Sequence, residues 1–190
     1  MEKLQITLAD LHHDVQTAFK NDQLNLLLNQ PPHKSWLKQF PKEMGIKSGG
    51  EYLPVDKVDF MLKRIFGKTK IEVLQVQQLF QSIHVTVRLH YKDPLTGEWE
   101  WQDGVGACPI QTEAGKNASD LGAIKTRAVQ VAVPIAKSAA KKDAAEELGA
   151  LFGRDLNRKD TIMFVGAFSP QEEQKQNETI STSQFNTNDL

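Results

Sequence analysis

The chain has 190 residues, 39% of them hydrophobic and 25% charged, with a formal net charge of −1. This fits one globular domain with short appendages, large enough to bury a core without staples, and argues against a wholly basic nucleic-acid coat. The single cysteine, Cys108, excludes an intrachain disulfide framework and suits a reducing cytosol.

The opening MEKLQITLAD lacks the apolar run of a signal peptide. No segment approaches the roughly 20 apolar residues of a membrane span, so a cytoplasmic protein without a membrane partner is expected. Residues 4–28 carry Leu8, Leu11, Val15, Phe19, Leu24, Leu27 and Leu28 at helical spacing. An amphipathic N-terminal helical segment over 1–33 is predicted, stopped by Pro31 and Pro32. The loop-rich HKSWLKQFPKEMGIKSGG follows, with lysines beside aromatics and a Ser-Gly-Gly turn at its end. A short helix is predicted over 55–66, with Val55, Val58, Met61, Leu62, Ile65 and Phe66 on one side and Gly67 as its C-cap.

From Ser82 to Tyr91 the chain alternates strictly. Ile83, Val85, Val87, Leu89 and Tyr91 face one way, and Ser82, His84, Thr86, Arg88 and His90 the other. Asp93-Pro94-Leu95-Thr96-Gly97 reads as a turn, with Trp99 and Trp101 in phase on the returning strand. With a third strand over 71–79, these make an antiparallel sheet that is polar on one face. Ser119-Asp120 resembles the N-cap of a long Ala-rich helix running to Phe152, kinked or broken at Pro134. Its small residues Ala136, Ala139, Ala140 and Ala144, with Leu148 and Phe152, form a stripe able to lie close on a sheet. The polar stretch over 168–190 is expected to be a disordered tail. The fold class is therefore α+β, with a core over 34–167.

No phosphate-cradling Gly-rich motif and no His-Glu-x-x-His occurs. His12 and His13 are adjacent, and His84 and His90 lie roughly 20 Å apart on one strand face, too far to share a metal. The acidic group Glu98, Glu100 and Asp103 could serve a metal-dependent nuclease, which is the alternative function. A solvated strand edge is the favoured reading of that group, because no Lys or His stands as an obvious base. Cys108, beside Pro109, reads as a buried or inert thiol. No enzyme activity, metal or other cofactor is expected.

Charge distribution says more than its sum. Between Lys34 and Asp160 there are 20 Lys/Arg and 16 Asp/Glu, while the flanks hold 3 and 8. A basic middle permits a local cationic groove, the requirement for gripping a strand by its phosphates. The candidate cations are Lys42, Lys47 and Lys57 around the Gly-Gly turn, Arg88 on the polar strand face, and Lys125, Arg127, Lys137, Lys141 and Lys142 along the long helix. A sheet packed on that helix would present them along one groove. Trp36, Trp99 and Trp101 are candidates for stacking bases, and the last two equally for the core.

The run EYLPVDKVDFMLKRIFG, then VTVRLHY, then EWEWQDGVGA, then AAKKDAAEELGALFGRDLNR resembles the phage single-strand annealing proteins of the Rad-fifty-two-like, Sak-type recombinase family. The resemblance covers about 36–160, and its landmarks are Phe66-Gly67, Asp103-Gly104-Val105-Gly106 and the basic helix closing on Gly153. It implies an antiparallel β-β-β-α core assembling into rings or filaments. A basic groove would hold one strand by its phosphates, bases outward, for ATP-independent annealing in phage recombination and repair. It carries a groove cation onto Lys42 or Lys47 and the helix cations onto Lys141 and Lys142. A further family arginine falls on Glu146 or Glu147, a departure for which Lys137, Arg154 or Arg158 would compensate. The implied partners are single-stranded DNA of any sequence, further copies of the chain, and a host single-strand-binding protein or phage exonuclease. The N-terminal segment would serve subunit contacts.

Overall fold

A computed structural model describes residues 14–40, 50–116, 121–160 and Gly166. The expectations placed on His12, His13, Leu8, Leu11, Lys42, Lys47, Ser119, Asp120 and the 168–190 tail lie outside the described residues.

Residues 28–161 form one compact unit, and α1 (Val15–Leu28) belongs almost wholly to a second. Asp14 starts α1 in the manner of an N-cap, accepting from Thr17 N at 2.7 Å and from Thr17 Oγ1 at 2.8 Å. The first of these bonds holds the Asp14 carboxyl below its ordinary value. The expected apolar stripe is corrected here. Val15, Phe19 and Leu27 are exposed, and the buried positions are Ala18, Asp22 and Leu28. Hydrophobic spacing marked the helix but not the face it buries.

In the larger unit, the two-residue strands β1 (Lys38–Gln39) and β2 (Glu51–Tyr52) pair antiparallel. Helix α2 (Val55–Phe66) follows, with the bounds the sequence indicates. Its Val58, Met61, Leu62 and Phe66 are buried. Gly67 closes it at φ 67, the left-handed region that glycine enters without a Cβ clash, and its N–H donates to Lys63 O.

The strands β3 (Thr69–Leu79), β4 (Ser82–Lys92) and β5 (Trp99–Pro109) form one antiparallel sheet in that order. A β-bulge between Val73 and Gln75 shifts the β3–β4 register. The Asp93–Gly97 turn is held by Asp93 Oδ1, which accepts from Leu95 N and Thr96 N. In β4 the alternation is realised: Ile83, Val85, Val87 and Leu89 are buried and Tyr91 lies half-buried against Phe66 at 4.8 Å between centroids.

Helix α3 (Ala128–Glu146) lies across β4 and β5 and leaves β3 largely uncovered. The approach is at backbone level, because Gly104 and Gly106 of β5 face Ala136, Ala140 and Ala144 of the helix. Two boundaries of the expected long helix are corrected. It begins at Ala128, after Arg127 in a left-handed conformation at φ 69. It ends at Glu146, and Phe152 sits in a separate 3-10 turn, buried and stacked on Phe66 at 6.4 Å. Pro134 does not break it. Gln130, whose carbonyl loses its i+4 partner, and Pro134 are both exposed, so water can satisfy the freed group.

The three-strand antiparallel sheet packed on a helix makes the chain α+β. Among the described residues no helix is long and apolar enough to cross a membrane.

Candidate nucleic-acid interface

The turn after α3 returns the chain to β2. Gly153 makes this possible at φ 106, a left-handed value that a side chain would strain. Asn157 then brackets the backbone of Glu51, its Nδ2 donating to Glu51 O and its Oδ1 accepting from Glu51 N, each at 2.8 Å. Between this turn, β2 and the end of α3 lies a cavity of about 300 Å³. Lys142, Arg154 and Arg158 line it, together with Phe40, Tyr52, Asn157, Glu51 and Glu146.

Each cation is oriented by a neighbour. Lys142 Nζ stands 5.2 Å over the Tyr52 ring, which packs on Phe40 at 4.9 Å between centroids. Arg154 donates from Nη2 to Asn29 Oδ1 at 3.0 Å and pairs with Asp155 at 3.7 Å. Arg158 pairs with the same Asp155 at 3.5 Å. The opposing charges are Glu51 and, at the end of α3, Glu146. Burial and then the nearby Asp143 push its carboxyl above the ordinary 4.5, against a smaller pull from Lys142.

A raised folded pKa means that the charged form of Glu146 is penalised in the native state. That penalty is absent below the ordinary value and grows as pH rises through the folded one. Glu146→Gln is therefore expected to raise the melting temperature at pH 7, with the gain shrinking in acid. It should also tighten phosphate binding by removing a like charge from the cavity. Thermal melts and strand titrations at both pH values check this. A variant less stable than the parent at pH 7 would contradict it.

Among the described residues, the remaining predicted cations do not line this cavity. Arg88 lies on the sheet face away from α3, because the residues flanking it, Val87 and Leu89, are the buried ones. There it is held by Asp103 through two bonds, Nε to Oδ1 at 2.7 Å and Nη2 to Oδ2 at 2.8 Å. The Arg88 hydrogen bond keeps the Asp103 carboxyl below its ordinary value. Lys141 is spent on Asp59 of α2. Lys57 sits 5.9 Å over the Trp36 ring and pairs with its neighbour Asp56 at 3.3 Å. Lys125 and Arg127 are exposed just before α3 and Lys137 in its middle, with no ion pair among the described residues. The helical rise places Ala128 roughly 21 Å from Lys142 along the axis. The structure thus joins Lys142 with Arg154 and Arg158 at one cavity.

Sequence reasoning missed Tyr52, Phe40 and Asn157. The last contacts a residue 106 positions away, for which no local signal exists.

The acidic group divides. Glu100 faces the Tyr91 side of β5 and Asp103 the opposite side, while Glu98 precedes the strand. Among the described residues no three His, Cys, Asp or Glu side chains converge as a metal set would. His84 is bonded to Ser82 at 2.8 Å and His90 to Glu72 at 2.9 Å. Cys108 is buried, and burial raises its thiol pKa, which disfavours the reactive thiolate. The chain matches no family model and none of the curated proteins.

Proposed function

We propose that this chain binds single-stranded DNA by its phosphates without regard to sequence and anneals complementary strands without ATP or covalent chemistry. The observation that carries the reading is the convergence of Lys142, Arg154 and Arg158 on one cavity. Cations set along a rigid helix neutralise an extended backbone, and base pairing then supplies the free energy of annealing. The order of three antiparallel strands followed by the covering helix is also the order that the annealing-protein resemblance implies.

The protein works as a homo-oligomer, ring or filament, in the cytoplasm of a bacterial host. Support comes from the far half of β3. No charged residue occurs between Val73 and Ser82, and Val73, Leu74, Val76, Leu79 and Phe80 are all exposed. A bare apolar edge of this kind is protected when a neighbouring copy covers it.

The test is annealing of two complementary oligonucleotides followed by fluorescence, with EDTA present and no nucleotide. Acceleration over the spontaneous rate is expected, with a multi-subunit mass by light scattering. Tight strand binding without acceleration would reduce the protein to a protective coat. Magnesium-dependent cleavage of a labelled strand, lost in Glu100→Ala, would replace the reading with the nuclease one.

A further inference from the structure

The sheet has a second face, turned away from α3, and no described element of the compact unit covers it. By register it carries the cross-strand rows Lys92–Trp99, Lys70–His90–Trp101 and Glu72–Arg88–Asp103. Trp99 is 54% exposed and Trp101 51%. Two tryptophans on a bare sheet face are costly to hydrate unless something covers them. Their setting identifies the cover.

Both acids of this face are occupied, Asp103 by Arg88 and Glu72 by His90. Lys70 and Lys92 have no ion-pair partner among the described residues. Lys70, Lys92 and Arg88 outnumber Glu72 and Asp103 on this face, so its net charge is positive beside the indoles. A second protein copy docked here would strand those two ammonium groups in a desolvated interface. A polyanion with flat apolar faces answers both features together.

Geometry narrows the occupant further. Trp99 and Trp101 are two residues apart on one side of β5, so their side chains emerge roughly 6.8 Å apart. That is about twice the 3.4 Å spacing of successive nucleotides along one strand of duplex DNA, room for one base between two rings. Arg88 lies 4.0 Å over the Trp101 ring and is fixed by Asp103. By register it approaches from the Asp103 side, away from Trp99, and leaves the gap between the indoles unfilled.

We infer that this face is a second nucleic-acid contact surface, which takes unpaired bases by stacking on Trp99 and Trp101 while Lys70 and Lys92 meet the adjoining phosphates. Arg88 is a positioning residue that holds the Trp101 plane. The inference shares its ligand class with the proposed function but uses different residues on the opposite face of the sheet, so the two can fail separately.

The test uses the full chain carrying Trp36→Phe, whose tryptophan fluorescence then comes from the sheet pair alone, since the chain has 3 tryptophans. It is titrated with oligo(dT) and with an abasic oligonucleotide of equal length and charge. Oligo(dT) is expected to quench the emission and the abasic strand to bind without quenching. Adding Trp99→Ala and Trp101→Ala should weaken oligo(dT) binding by about ten-fold or more and leave abasic binding nearly unchanged. Equal quenching by both strands, or oligo(dT) binding without quenching, overturns the inference while leaving phosphate binding intact. Quenching by oligo(dT) with no abasic binding sustains the stacking surface and removes the phosphate reading. Absence of binding to either strand overturns both. Unchanged oligo(dT) affinity of the alanine variant, with a changed oligomer mass, assigns the face to a second copy and also overturns the inference. The quenching comparison needs no alanine variant and holds even if that variant folds poorly.

Discussion

Gly106→Val is expected to abolish stable folding of the 28–161 unit or to lower its melting temperature by about 10 °C or more. A Cβ at Gly106 would fall on the backbone of α3, against Ala140 N and Ala136 O. One at Gly104 would meet Ala140 O and Ala144 N. Backbone atoms cannot rotate aside as a side chain does, so the helix must lift from the strand along its alanine stripe. Lifting it uncovers Val85 and Val87, which lie beneath that stripe and are fully buried. Overpacking of this kind costs on the order of 3 kcal/mol, a large share of the stability of a small unit. The matched control is Ala107→Val, one residue on and facing the other way, where the side chain is exposed and a change within about 0.5 kcal/mol is expected. Thermal unfolding of the three proteins decides the matter. A Gly106→Val protein that melts with the parent would mean that α3 does not dock on β5 at this distance.

That pair of glycines also marks where the sequence could be read and where it could not. Strand β4 was legible because its burial alternates with period two and one face meets a single partner, so pattern and packing coincide. Helix α2 was legible to its last residue, since Phe66 is buried and Gly67 supplies a backbone conformation that ends it. The start of α3 was not, because its first residue follows a left-handed Arg127 that no propensity rule anticipates. Pro134 was expected to kink or break the helix, yet the helix runs through it, since a lost hydrogen bond on a solvent-facing side costs less than separating the helix from its sheet.

The candidate site was less legible than the fold for one physical reason: a lysine's availability depends on acids distant in sequence. Lys141 and Lys142 are neighbours of the same type, yet one faces Asp59 on α2 and the other an aromatic ring on β2. Arg88 looked like a free strand cation until the β4–β5 register placed Asp103 opposite it. Helical spacing groups cations by face and says nothing of which are already paired.

This difference makes the second large prediction discriminating. Lys142→Glu combined with Arg154→Glu should weaken single-strand binding by about ten- to a hundred-fold near 0.1 M salt, because two phosphate contacts become repulsive. The slope of log K against log salt should flatten by about 1.4, the contribution of two lost cations on a single strand. Stability should change little, since these side chains sit at the cavity rim and their own partners are Tyr52, Asn29 and Asp155, all near the surface. Lys141→Glu should do the reverse. Its side chain is only 21% exposed, and the new carboxylate would face Asp59 across the α2–α3 contact. A like-charge pair so placed is expected to cost about 2 kcal/mol of stability, read as a lowered denaturant midpoint. Strand affinity of the fraction still folded should stay near that of the parent. If instead the Lys141 variant loses binding at full stability, the phosphates run past α2 rather than through the cavity. If the Lys142 and Arg154 variant keeps the parental salt slope, the cavity does not hold the strand.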